Sequence, residues 1–363
     1  MRKHSLLGFT CYGAAAILSC LPGTWSAPVN TTQDELGFSI FEKAPRSSLM
    51  KRAITVDAFC GPYSGAVNLA LGDALNIINY AIPRLQALLA NLNSNPVPSI
   101  VGMNTADRTV FQTYEAFFGQ AYFGTDTVTN KNKNAAAITR LNGIIRTAQA
   151  IQSALQNPGG VNVEIYCDDS SFLWTTDQWG FPGAAGTLFD SRYLFSAGIG
   201  EWVQLQSCSA LAGTTAYTYR PNSPPFFGED VIVLCGNYLP GWAARYTAGN
   251  TVGNYHNAAP LITNVYQMDY LWGYLPATLI HEFTHSSNIM NTQNAPTLAD
   301  QCLINKDSAY QWQCIRQLAQ ENVDKAAANS DTFSLFVTAI YLNQNDWSTG
   351  IAQNLGYFPL SPT

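Results

Sequence analysis

The chain has 363 residues, a formal charge of −6, and only 12% charged side chains. Without the first 52 residues, 12 Lys and Arg face 21 Asp and Glu. An acidic chain with no basic run is a poor partner for nucleic acid or an anionic membrane. Its length allows one large domain or two closely joined subdomains. At the N-terminus, Arg2, Lys3 and His4 precede an apolar core from Leu6 to Leu18. Thr24 and Ser26 place small residues where a signal peptidase reads, so residues 1–26 are expected to be a signal peptide. The apolar core is too short to anchor the chain in a bilayer. Lys51-Arg52 then forms a dibasic pair after a polar stretch. Residues 27–52 read as a pro-segment, residues 53–363 as the mature, secreted, extracellular protein.

Six cysteines remain after the signal peptide, and none sits in a C-x-x-C pair. An even count in a secreted chain points to three disulfides. The simplest unnested scheme joins Cys60 to Cys167, Cys208 to Cys235 and Cys302 to Cys314.

Periodic apolar residues predict a helix from Ser64 to Leu92, kinked or divided at Pro83. Further helices are predicted over Ala106–Phe118, ended at Gly119, and over Lys133–Leu155. Residues 60–157 thus form a helical part without visible chemistry. Val161–Tyr166 alternates as a strand, and Asp230–Leu234 is an apolar strand. Residues 170–227 read as a long insertion of loops and short strands, with room for a hairpin. Tyr238–Pro260 has no clear period, and His256 in it reads as an exposed loop residue. Beyond Asp307 the pattern turns helical to Leu318, and Asn329–Tyr341 is a final helix with Phe333, Phe336, Val337, Ile340 and Tyr341 on one side.

The chemistry sits at His281-Glu282-Phe283-Thr284-His285, an H-E-x-x-H motif at the end of an apolar run. On a helix, residues four apart share one face, so both imidazoles can reach one metal ion. Glu282, beside the first ligand, can address water without binding the metal. Pro276 requires the helix to start near it or bend there. A catalytic zinc takes three protein ligands. No histidine follows His285, so the third must be a carboxylate: Asp300, Asp307, Glu321, Asp324, Asp331 or Asp346.

Asp307-Ser308-Ala309-Tyr310 resembles the D-x-x-Y core of the aspzincins, the deuterolysin-type and fungal peptidyl-lysine metallopeptidases. Asn329-Ser330-Asp331-Thr332-Phe333 resembles the N-A-D-x-Y segment that follows it there, and Phe117-Phe118-Gly119 resembles a W-F-G element. The family pattern is G-T-x-x-D-x-x-Y-G, whereas Asn305-Lys306 precede Asp307 here and Gln311 follows Tyr310. The resemblance implies an α+β, mostly helical, zincin-like metallopeptidase with a small sheet beside the zinc-binding helix. The zinc-site part would span about residues 161–345. It implies one Zn2+ per chain on His281, His285 and Asp307, Glu282 as general base, Tyr310 as a donor to the oxyanion, and Asp331 in the substrate pocket. The expected partner is a peptide or protein substrate, with no nucleic acid and no membrane, and the chain itself is expected to be a monomer. The alternative is a secreted zinc-binding or cell-surface protein of the same fold that no longer cuts.

Overall fold

A buried helix ending in the H-E-x-x-H motif must be surrounded on every side, and the other elements are arranged to do this. The computed structural model describes residues 53–123, 132–169, 172–175, 187–190, 202–203, 208, 214–220, 228–258, 260–261, 263–303 and 311–355. The expected signal peptide, pro-segment and dibasic site, most of the 170–227 stretch, Asp307 and Tyr310 lie outside them.

The helices are α1 (Ser64–Asn93), α2 (Thr105–Phe118), α3 (Ala135–Gln156), α4 (Leu239–Thr247), α5 (Val252–Asn257), α6 (Leu275–His285), α7 (Ser287–Met290), α8 (Trp312–Glu321), α9 (Val323–Ala327) and α10 (Ser330–Tyr341). The strands are β1 (Ile54–Val56), β2 (Val163–Tyr166), β3 (Phe172–Thr175), β4 (Thr187–Asp190), β5 (Trp202–Val203), β6 (Ala216–Tyr219) and β7 (Asp230–Leu234). This is an α+β fold, mostly helical, with a small sheet beside the motif helix. The main sheet runs β1-β2-β7-β6. Its first three strands are parallel, and β6 is antiparallel to β7. The β1-to-β2 connection holds α1, α2 and α3, as a parallel pair requires a long crossover. Strands β3, β4 and β5 form a separate antiparallel sheet.

Helix α1 runs through Pro83 as one helix, against the expected break. Ile77, Ile78, Ala81, Ile82 and Leu85 are buried on both sides of it. They pack against α3, α6 and α10. Their combined burial outweighs the roughly 3 kcal/mol that an interior proline costs. Helix α2 starts on Asn104, whose side chain accepts from Asp107 N at 2.9 Å. It stops at Gly119, where φ is +80° and a Cβ would meet Val323 Cγ1 at 2.4 Å. Only glycine fits there. The stretch expected to be irregular after Tyr238 instead forms α4 and α5. Leu239, Trp242 and Val252 are buried there. Two short helices offer too few turns for a legible period, and packing decides them. His256 lies on α5, stacked on Tyr341 at 4.1 Å with Nδ1 2.6 Å from that residue's carbonyl oxygen.

All three disulfides of the simplest scheme form: Cys60–Cys167, Cys208–Cys235 and Cys302–Cys314. Such bonds are compatible with a secreted protein. Among the described residues, no helix is long and apolar enough to cross a membrane.

One buried carboxylate ties the sheet to the end of the motif helix. Asp230, at the start of β7, meets Arg220 Nε at 2.6 Å. Its other oxygen accepts from Ser286 Oγ at 2.6 Å and Asn288 N at 2.7 Å. Asp230→Ala leaves these donors unpaired. It is expected to cost about 3–5 kcal/mol, read from the urea midpoint.

Glu115 on α2 gives a pH test. Burial pushes its carboxyl up to about 7, partly offset by a hydrogen bond from Ala121 N. The folded chain therefore holds this proton more tightly than the unfolded chain does. Stability falls as pH rises from about 4.5 to about 7 and is level above. Glu115→Gln keeps the acceptor and removes the charge. It should stabilise the fold at pH 8 by about 2 kcal/mol and change little at pH 4, in denaturant melts at both pH values.

Candidate metal centre

Helix α6 has Pro276 in its first turn, where its missing N–H costs nothing. Every residue from Leu275 to Thr284 is buried. The helix is walled by α1, α10 and β6. Such an all-round burial suits an apolar helix, and it places His281 and Glu282 out of bulk water. His285, at the last turn, is the partly open residue of the motif.

Both histidines are held by their Nδ1 atoms. His281 Nδ1 lies 2.8 Å from Asp331 Oδ1. His285 Nδ1 lies 3.0 Å from the carbonyl oxygen of Leu298. A carbonyl only accepts, so the proton of neutral His285 is on Nδ1 and the lone pair is on Nε2. The carboxylate imposes the same tautomer on His281. The two Nε2 atoms are 3.1 Å apart. Asp300 Oδ1 stands 3.3 Å from each. Three lone-pair donors thus form a triangle with edges of 3.1, 3.3 and 3.3 Å. Ligands about 2.0–2.1 Å from a tetrahedral zinc ion lie roughly 3.3–3.4 Å apart. The three atoms fit that ion and would repel one another without a cation. The triangle opens toward solvent on the Asp300 side, where that side chain is 34% exposed against 4% for His281.

Electrostatics agree. Burial opposes charge on His281, yet the Asp331, Asp300 and Glu282 carboxylates together outweigh it and push the imidazole up to about 10. His285 is also raised, with burial opposing and Asp300 chief among the groups favouring the proton. Burial raises Asp331 to about 6, partly offset by His281. Carboxylates this close hold a proton in the site when it holds no metal, so metal uptake releases protons.

Asp300 is placed by a clamped segment. Leu298 N donates to Thr284 O at 3.0 Å, and Ala299 N donates to Ala328 O at 3.0 Å. Asn329 Oδ1 accepts from Gln301 N at 2.9 Å. Asn294 makes the preceding turn in the left-handed region, φ 50°. Asn329, at the N-cap of α10, therefore serves the centre alongside Asp331 in the first turn of that helix.

Glu282 stands beside the triangle, its Oε1 3.9 Å from His281 Nε2. Its Oε2 accepts from Thr218 Oγ1 at 2.7 Å. Trp272 sets its ring edge-on to His281, with centroids 5.3 Å apart. Asp331, expected in the substrate pocket, is fully buried on the far side of His281. The described site thus brings together His281, Glu282, His285 and Asp331 with Asp300, one of the six candidate carboxylates, and with Thr218, which the sequence did not single out. Asp300 did carry a signal. Thr297-Leu298-Ala299-Asp300 matches the T-x-x-D half of the aspzincin pattern, while Asp307 to Tyr310 matches its D-x-x-Y half. Thr218 carried none.

No protein-family model and no curated protein matches the chain. Among solved structures it is similar to a zinc peptidase from Grifola frondosa. The identity is 15% and the TM-score 0.32, over 76% of this chain and 93% of that one. That likeness is too loose to carry chemistry from one protein to the other.

The two candidate third ligands separate cleanly by metal analysis. Asp300→Ala leaves two imidazoles and is expected to lower zinc affinity by at least about 100-fold, while Asp307→Ala should retain one ion per chain. Dialysis against a zinc buffer followed by elemental analysis checks both. Zinc lost from the Asp307 variant and kept by the Asp300 variant would reverse the assignment.

Proposed function

We propose that this chain is a secreted zinc-dependent endopeptidase of the aspzincin kind, released by removal of residues 1–52. The observation that carries this is the donor triangle of His281, His285 and Asp300 with the Glu282 carboxylate beside it. A protein that only stored metal would have no use for an aligned carboxylate next to the ligands. Bound zinc supplies Lewis acidity, acidifying water and polarising a carbonyl oxygen.

The chain's own residues do the rest. Glu282 takes a proton from the attacking water and hands it to the leaving amine. Asp331 holds His281 in the tautomer that presents Nε2 outward, a supporting role in place of the expected substrate contact. Tyr310 remains our proposed donor to the developing oxyanion. An extended substrate has a place to bind. Among the described residues β6 is the outer strand of the main sheet on the side of α6, with β1 at the other edge. Cys235 N donates to Thr215 O, and the register pairs Tyr217 with Val233 and Tyr219 with Val231. Those odd-numbered positions bond to β7, so the backbone groups of Ala216 and Thr218 point to the outer edge. A peptide pairing there would lie along the metal centre.

Purified mature protein is expected to digest casein, lose activity to 1,10-phenanthroline and regain it with zinc. Glu282→Gln should keep one zinc per chain and lose hydrolysis by about 100-fold to 10,000-fold. Zinc lost from that variant would make Glu282 a ligand. A zinc-loaded wild type that cuts no peptide would favour the binding protein over the enzyme.

A further inference from the structure

We infer that Thr218 is the positioning residue for Glu282, a role that rests on the peptidase reading of the site. Glu282 follows His281 directly, so its side chain leaves the helix about 100° away from that of its neighbour. It cannot point at the donor triangle by helix geometry alone. It must curl toward the triangle, and a glutamate has several rotamers with which to miss. Something outside the helix has to select one of them.

Thr218 does so from the outer strand β6. Its hydroxyl lies 2.7 Å from Glu282 Oε2 and 3.2 Å from the Glu282 carbonyl oxygen. A hydroxyl has one proton to give. The shorter contact, to the charged group, takes it. With Oε2 held by the strand, Oε1 is left toward the metal donors, 3.9 Å from His281 Nε2. The strand itself is fixed. Thr218 sits opposite Ile232 on β7, and Asp230 at the start of β7 bonds Ser286 and Asn288 just past α6. The carboxylate that accepts the proton is thus aligned by the same strand whose outer edge faces the proposed substrate path. Threonine suits the position twice, since its methyl group and β-branching favour a strand while its hydroxyl donates.

Three variants in the zinc-loaded mature protein test this. Thr218→Val keeps the shape and removes the donor; Thr218→Ser keeps the donor; Thr218→Ala removes the donor with no added methyl, should the valine variant not fold. Each is assayed for zinc content, for kcat and KM on a casein-derived peptide, and for binding of a simple peptide hydroxamate by calorimetry. A hydroxamate gives its proton to the base beside the metal, so its affinity reports the pose of Glu282 without any turnover. Thr218→Val and Thr218→Ala should keep one zinc and a KM within about twofold. Their kcat and hydroxamate affinity should each fall about tenfold to 100-fold, the worth of one hydrogen bond to a charged group. Thr218→Ser should restore both to within about threefold. Unchanged kcat and hydroxamate affinity in the valine and alanine variants would overturn the inference, as would a serine variant no better than alanine. Failure of the peptidase reading looks different: wild type would cut no peptide, while the hydroxamate arm would still report whether Thr218 sets Glu282.

Discussion

Two imidazole lone pairs and one carboxylate oxygen converge within 3.3 Å at the end of a buried helix. In a metal-free protein that convergence is unfavourable, and protons must relieve it. The surrounding architecture makes sense as the means of holding it. Asp331 and the Leu298 carbonyl fix the two rings from behind. The segment carrying Asp300 is clamped to the end of α6 on one side and to the start of α10 on the other.

Rigidity of this kind comes from packing that begins far from the centre. Helix α6 is buried along almost its whole length and is flanked by α1, α10 and β6. Helix α10 is buried at all twelve positions, polar ones included. Its buried hydroxyls find partners, as when Ser334 Oγ donates to Ala277 O at 2.6 Å and so joins α10 to α6. Asp230 joins the sheet to Ser286 and Asn288, just past the C-terminal end of α6. A ligand helix held by two helices, a strand and a buried carboxylate has little freedom to misplace its donors, as a preorganised site requires.

Much of this was legible in the residues. The long helices and the strand Asp230–Leu234 follow from local period, and the simplest pairing of the six cysteines is the one that forms. His281, Glu282 and His285 are close in sequence, so a helix brings them together without help. What was less legible shares one feature. Helices α4 and α5 are too short to show a period and are set by what Leu239, Trp242 and Val252 pack against. Pro83 sits inside an unbroken helix because the burial on both sides outweighs its local cost. Asp300 competed with five other carboxylates for one place, and the aspzincin pattern fits two stretches of this chain, each by a different half.

The sequence by itself determined the motif and the helix that carries it, because both depend on neighbours within a few residues, and the cysteine count fixed the number of disulfides but not their partners. Only the tertiary structure decided that Asp300, among the described residues, meets both histidines, that Asp331 stands behind His281, and that a threonine from the outer strand reaches Glu282. Those three contacts join residues 15 to 64 positions apart. Their distances are set by how the helices and the sheet stack around α6, and no local pattern encodes that.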